Sequence, residues 1–151
     1  MGFDKCNTLV VGLLREALVA QGQAALGRLS AAERRGSPLL YSMARLLQDM
    51  GKLEEARPLY EERLQGERER LGDLHRGTLR SIYNLADLLE KKGKLVEANS
   101  LYTEVLEGHV LEYGMEDRWT RDAAKRLVFN LRRAGQREEA EALTEKHDLS
   151  S

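Results

Sequence analysis

The chain has 151 residues, 42% hydrophobic and 32% charged, with 24 basic against 25 acidic residues and a formal charge of −1. That length fits one domain or one compact repeat array burying roughly 70% of its extended-chain surface. The balanced charge argues against a nucleic-acid partner held by bulk positive charge, and the single Cys6 excludes an internal disulfide framework and a cysteine-rich zinc site.

Residues 1–36 form the first segment. Met1-Gly2-Phe3-Asp4-Lys5-Cys6 departs from an acylation start, which wants Ser or Thr where Cys6 stands. Cys6 has no nearby His or second Cys and reads as an inert thiol. No apolar run is expected to reach the ~18 residues of a membrane span; residues 9–14 are short and interrupted by Gly12. There is no basic stretch followed by an apolar region and a cleavage site, so a cytoplasmic protein with no membrane partner is expected. Leu13, Leu14, Ala17 and Leu18 make a helical stripe. The segment is expected to be a degenerate repeat or cap, the second helix of a preceding repeat.

From residue 37 the pattern becomes regular. Ser37-Pro38 predicts a helix start, with Ser as N-cap and Pro at the first helical position. Leu40, Met43, Ala44, Leu46 and Leu47 follow at helical spacing, Gly51 breaks the helix, and Leu53, Ala56, Leu59, Tyr60 and Leu64 make a second stripe. Residues 79–120 repeat this with Ile82, Leu85, Ala86, Leu88 and Leu89, then Gly93, then Leu95, Ala98, Leu101, Tyr102, Val105 and Leu106. Residues 121–151 carry a partial third copy: Ala124, Leu127, Val128, Leu131, then Gly135, then Ala140 and Leu143, ending in a frayed tail. The period is 42, and sliding residues 41–72 onto 83–114 gives 15 identities in 32 positions, where chance gives about two. No segment alternates as a strand does, so the expected fold is all-α: a right-handed α-solenoid of stacked antiparallel hairpins with about seven helices, its repeats at 37–78, 79–120 and 121–151. Ala44/Ala86 and Ala56/Ala98/Ala140 are expected where two helices approach closely.

The run Asn84-Leu85-Ala86-x-x-Leu89-x-x-x-Gly93-Lys94-Leu95-x-Glu97-Ala98-x-x-Leu101-Tyr102-x-x-x-Leu106, with Gly114 beyond it, resembles a tetratricopeptide repeat. The 42-residue period resembles the long-helix form of kinesin light chains and covers residues 37–148. The third unit departs from the pattern, with Lys125, Phe129 and Thr144 where Tyr83, Asp87 and Tyr102 stood, and the family's loop His occurs once, as His75. The resemblance implies that the first helix of each unit lines a peptide-binding groove. Its positions are Tyr41, Ser42, Arg45 and Gln48 in the first unit, and Tyr83, Asn84, Asp87 and Glu90 in the second. The third supplies Lys125, Arg126, Phe129, Arg132 and Arg133. Asn84 matches the family's residue that holds a ligand backbone.

Residues 121–137 hold six basic residues and one acid, Asp122. With Phe129 and Trp119, this suits an acidic peptide carrying an apolar anchor. Two alternatives stand beside it. The last helix could be a solvated face paired to Glu138, Glu139 and Glu141, with Trp119 a loop residue packed between repeats. The repeat ends could stack on further repeats or on another copy, making the chain a structural or oligomerisation element. No metalloprotease, phosphate-loop, dinucleotide-binding or nucleophile-elbow motif occurs, and His109 with Glu112 reads as a surface pair. The expected protein is therefore not an enzyme, takes no cofactor or metal, and binds another protein through a peptide segment.

Overall fold

The computed structural model describes residues 3–149. The acylation-like start, the Cys6 side chain and the Ser150-Ser151 end lie outside what is described. Among the described residues there are eight helices and no strand: α1 (Phe3–Gly27), α2 (Ala31–Gly36), α3 (Pro38–Asp49), α4 (Leu53–Leu71), α5 (Arg76–Lys91), α6 (Leu95–Tyr113), α7 (Arg118–Arg133) and α8 (Arg137–Lys146). The count exceeds the expected seven because Pro38 splits the helical stretch before it. Proline pushes its predecessor out of the helical region, and Ser37 is extended at φ −74°, ψ 129°. Ser37 then does two jobs, ending α2 and capping α3, where its hydroxyl accepts from the Leu39 N–H at 3.2 Å. The α2 start is a capping box between Ser30 and Glu33, each side chain bonding the other's backbone N–H.

The chain divides into two compact units, Met1–Gly66 and Glu67–Ser151. In the first, α1 packs on α3, with Gly22 against Met43 and with Val19 and Leu26 of α1 buried. The membrane expectation needs correcting here: Thr8–Gly27 is a 20-residue helix long and apolar enough to span a bilayer, with only Arg15 and Glu16 charged. A search for an unbroken apolar run missed it because Gly12 and the Arg15-Glu16 pair interrupt the run without making the helix polar overall. Leu40, Met43, Ala44 and Leu47 of α3 are buried, as are Ala56, Tyr60 and Leu64 of α4. Arg34 ties α2 to α4 by a two-pronged bond to Glu62 at 2.7 and 2.9 Å. Gly66 lies so close to Arg35 that a Cβ would stand 2.8 Å from its carbonyl oxygen. One period later, Gly108 meets Leu79 the same way at 2.6 Å. Both glycines let a long second helix touch its neighbour.

In the second unit α5 packs on α6, α6 on α7 and α7 on α8. Ile82, Ala86, Leu88, Ala98, Tyr102, Ala123, Ala124 and Ala140 are fully enclosed. The break after each first helix is a Schellman turn. Gly51, Gly93 and Gly135 take φ +75°, +76° and +80°. The residue after each donates its N–H to Leu47, Leu89 and Leu131 respectively, all at 2.9 Å. The 42-residue recurrence of Gly follows from this turn, whose positive φ only glycine takes without strain, whereas Leu47, Leu89 and Leu131 recur because their side chains are buried in the core. The loop His of the first repeat is an N-cap, its Nδ1 accepting from the Gly77 N–H at 3.0 Å. Asp117 stands 42 residues later and caps α7 by accepting from Trp119 and Thr120 N–H. The loop His is therefore replaced in kind.

His109 is not the surface residue expected. It is 4% exposed on α6, with the Tyr113 ring 5.4 Å away and Asp117 4.0 Å from Nδ1. One period earlier stands Glu67, also buried, bonded by the Ser81 hydroxyl. Burial pushes the His109 pKa below its ordinary value of 6.5, against the pull of Asp117 and with a smaller push from Arg76. A native histidine that resists protonation contributes stability in full above that unfolded value. The contribution is lost as pH falls below it toward the lowered native value. His147 shifts in the same direction through its own burial and Lys146. The expected result is that His109→Gln loses less thermal stability than the parent between about pH 7.5 and about pH 5.5. Parallel melting curves for the two proteins over that range would refute it.

Candidate functional site

The groove positions named from the sequence fall on α3, α5 and α7, the first helices of the three units. In the first unit Tyr41 is half-buried, with its ring 6.4 Å edge-on from Tyr60 and the Arg63 guanidinium 5.5 Å over it. Arg45 is exposed and pairs with Asp49 at 3.4 Å; bonding to Tyr41, then Asp49, raises its pKa. Ser42 is exposed and donates to the Pro38 carbonyl. Gln48 does not line an open face: it is 6% exposed and accepts the Tyr60 hydroxyl at 2.8 Å.

In the second unit the same register position is Glu90, and the same partner is Tyr102, whose hydroxyl donates to it at 3.1 Å. Here the carboxylate gathers more. Asn130 Nδ2 donates to it at 2.9 Å, while Arg133 and Arg126 approach at 3.4 and 3.7 Å. The Glu90 side chain is 11% exposed. Burial, and then the Glu90 and Asp87 charges, push the Tyr102 pKa far up, so its phenol stays a neutral donor. Tyr83 stacks edge-on against Tyr102 at 5.3 Å and donates to Asp122 at 2.8 Å. Its own pKa is raised, first by burial. Arg126 is held strongly protonated, chiefly by its bond to the Tyr83 oxygen. Asp87 pairs with Lys91 at 2.9 Å and lies 3.9 Å from Arg126. Asn84 is half-buried beside Tyr83.

On α7, Trp119, Asp122, Lys125, Arg126, Phe129, Arg132 and Arg133 recur at three- and four-residue steps on the side away from the buried Ala123, Leu127 and Leu131. Trp119 sits in the first turn of α7, half exposed, rather than in a loop between repeats. Phe129 is 53% exposed with the Arg133 guanidinium 5.6 Å over its ring. Lys125 and Arg132 are exposed. The partners of Arg126 and Arg133 are Asp87 and Glu90 on α5, not the acidic residues of α8 that the sequence suggested.

Sequence reading missed Asn130. It occupies the stripe position held by Leu46 and Leu88, is wholly buried and braces Glu90. An amide in an apolar register facing an acid one repeat earlier was the available signal. The resulting face is a mixed one: two half-exposed aromatics, a two-cation pair engaged with α5, and two outward cations. It can contact apolar and anionic groups together.

Helical hairpins repeated every 42 residues, each closed by the same glycine turn and offering an exposed first-helix face, define a helical-repeat interaction scaffold. Residues 37–109 match the tetratricopeptide repeat family, and the fold resembles that of kinesin light chain-like tetratricopeptide repeats. It is similar to a solved Podosopora anserina protein described as kinesin light chain, with nearly identical TPR-like repeats. Identity is 26% and the TM-score 0.73, covering 89% of this chain and 62% of that one. A point-substituted form of that protein aligns at 21% identity and TM-score 0.72, covering 89% of this chain and 65% of that chain. BtubC (BKLC) from P. vanneervenii aligns at 18% identity and TM-score 0.70, covering 89% and 54%. The chain thus spans between about half and two thirds of those chains' lengths. The fold class is the all-α solenoid of this family. No curated protein matches the sequence.

Proposed function

We propose that this chain is a non-catalytic adaptor that binds an acidic peptide segment carrying one large apolar side chain, and that the exposed face of α7 reads it. The carrying observation is Phe129, half exposed beneath Arg133 and flanked on the same face by the outward cations Lys125 and Arg132. An apolar anchor packs on Phe129 and Trp119 while peptide carboxylates take the cations, a pairing that rewards both burial and charge. Asn84 and Tyr83 on the neighbouring α5 offer polar contact to the peptide backbone. Arg126 and Arg133 serve the site indirectly, since both are already engaged by Glu90.

The test is selection from a random peptide library, followed by affinity measurements on the enriched sequence. Lys125→Glu with Arg132→Glu is expected to weaken binding at least tenfold and flatten its salt dependence. Phe129→Ala is expected to weaken it by about 1–3 kcal/mol without changing that dependence. Both sets of residues are exposed, so the melting temperature stays within a few degrees of the parent. Unchanged affinity in both variants would sink the assignment.

A further inference from the structure

We propose that His109 and Asp117 form a proton-operated latch on the start of α7. Uptake of a proton by His109 draws the Asp117 carboxylate to its Nδ1 and releases the Thr120 N–H from the helix cap. The latch is independent of the peptide reading, because it acts on the backbone of the first turn of α7 whether or not that helix meets a peptide.

Asp117 is fully engaged while His109 is neutral. Its Oδ1 accepts from Arg76 at 2.8 Å. Its Oδ2 accepts from the Trp119 and Thr120 N–H at 2.8 and 3.2 Å. The same Oδ2 lies 4.0 Å from His109 Nδ1, too far for a hydrogen bond. That nitrogen is buried and has no hydrogen-bond partner among the described residues. Buried polar atoms are seldom left so. Thr120, whose N–H completes the cap, carries a second such atom in its hydroxyl.

The preceding repeat gives the reason. At the register of His109 stands Glu67, and at that of Asp117 stands His75. Acid and imidazole have changed places between the two repeats. Glu67 receives the Ser81 hydroxyl, but the residue one period after Ser81 is Ala123, which has no hydroxyl to give. His109 therefore faces Asp117 with its Nδ1 unmet.

Protonation changes the balance at Oδ2. Each carboxylate oxygen offers about two lone-pair sites, and both on Oδ2 are taken. An imidazolium N–H is charged, and charge-assisted bonds are roughly twice as strong as neutral ones. Closing the 4.0 Å gap displaces the longer of the two cap bonds, the one from Thr120. α6 packs on α5 and α7, and each presents a charge to the ring. Burial is the largest influence and opposes a proton on His109; Asp117 at the head of α7 favours it, and Arg76 on α5 opposes it. On α6 itself the Tyr113 ring stands 5.4 Å away, with the Arg76 guanidinium 4.3 Å over it. The ring thus charges only below its ordinary value of 6.5. Asp117 stays ionised there. Burial raises its pKa, but the Thr120 and Trp119 N–H bonds and Arg76 together hold it below the ordinary value. His75, Glu112, Glu116 and Arg118 are exposed to water.

Amide NMR on the full chain, from about pH 7.5 to about pH 4.5, tests the latch. The Trp119 and Thr120 amide resonances are expected to move with the His109 ring on one curve. Hydrogen exchange at the Thr120 amide, corrected for intrinsic pH dependence, should quicken about threefold or more across that curve. His109→Gln is expected to abolish both changes, and its melting curve at about pH 7.5 shows that the fold is kept. Arg76→Gln tests the same device from an exposed position. It removes the cation that opposes charging and leaves Asp117 less engaged, so the midpoint should rise by about 0.5 in pH. His147→Gln should leave the curve in place. Cap amides that do not follow the ring overturn the proposal, as does a curve that survives His109→Gln or a midpoint that falls in Arg76→Gln.

Discussion

Ala98→Glu is expected to destroy the cooperative unfolding of the second unit. Ala98 is fully enclosed where α6 meets its neighbours, at the register shared with Ala56 and Ala140, both equally enclosed. A carboxylate there finds neither water nor a partner. Overpacking costs about 1–3 kcal/mol and an uncompensated buried charge about 3–5 kcal/mol more. Together these approach the whole stability of a typical domain, about 5–15 kcal/mol. Circular dichroism should show a broad, early loss of helix with a midpoint lowered by more than about 10 °C. Val96→Glu supplies the contrast. It lies two residues away on the same helix, 79% exposed, and should melt within a degree or two of the parent. Equal behaviour of the two variants would mean that α6 packs through a different face.

Glu90→Ala should be the next most damaging change, and for the opposite reason: it removes a charge that others depend on. Tyr102, Asn130, Arg126 and Arg133 all lose their acceptor at once. Asn130 is wholly buried and its Oδ1 has no bond among the described residues, so its amide would be stranded entirely. Leaving buried donors unmet costs about 1–3 kcal/mol each, partly recovered by water at the exposed guanidinium ends. A net loss of about 2–4 kcal/mol, or about 5–15 °C in midpoint, is expected. Glu90→Gln keeps an acceptor for Tyr102 and reproduces the Gln48–Tyr60 pair of the first unit. It should lose less than half as much. If Ala and Gln behave alike, the charge rather than the hydrogen bonding holds the cluster.

These two residues mark how far the sequence could be read. Ala98 was legible because it obeys three rules at once: it falls on the helical stripe, it recurs at 42 residues, and its neighbours in the stripe are large. Repetition makes such positions visible, since each unit must bury the same face against the next. The Schellman glycines were legible for the same reason, and so was the Ser37-Pro38 start. Glu90 was placed on the groove helix, but its role as a hub was not readable. That role depends on Asn130 and Arg133, 40 and 43 residues away, and no local pattern predicts which cation a carboxylate will choose. His109 failed similarly. Its pairing with Glu112 was a helix-face guess, whereas its burial follows from occupying the register of Glu67.

The amino-acid sequence by itself determined the helical class, the 42-residue repeat, the glycine turns that close each first helix, and the enclosed alanines. All are local or strictly periodic, so neighbouring residues and one repeat distance suffice to state them. Only the tertiary structure decided the rest. It turned Gln48 inward, engaged Arg126 and Arg133 with α5, and left the large apolar side chains in the first half of α1 exposed. Which face of a helix meets the core, and which charges meet each other, are settled by packing between segments distant in sequence. Spacing along the chain carries no record of that choice.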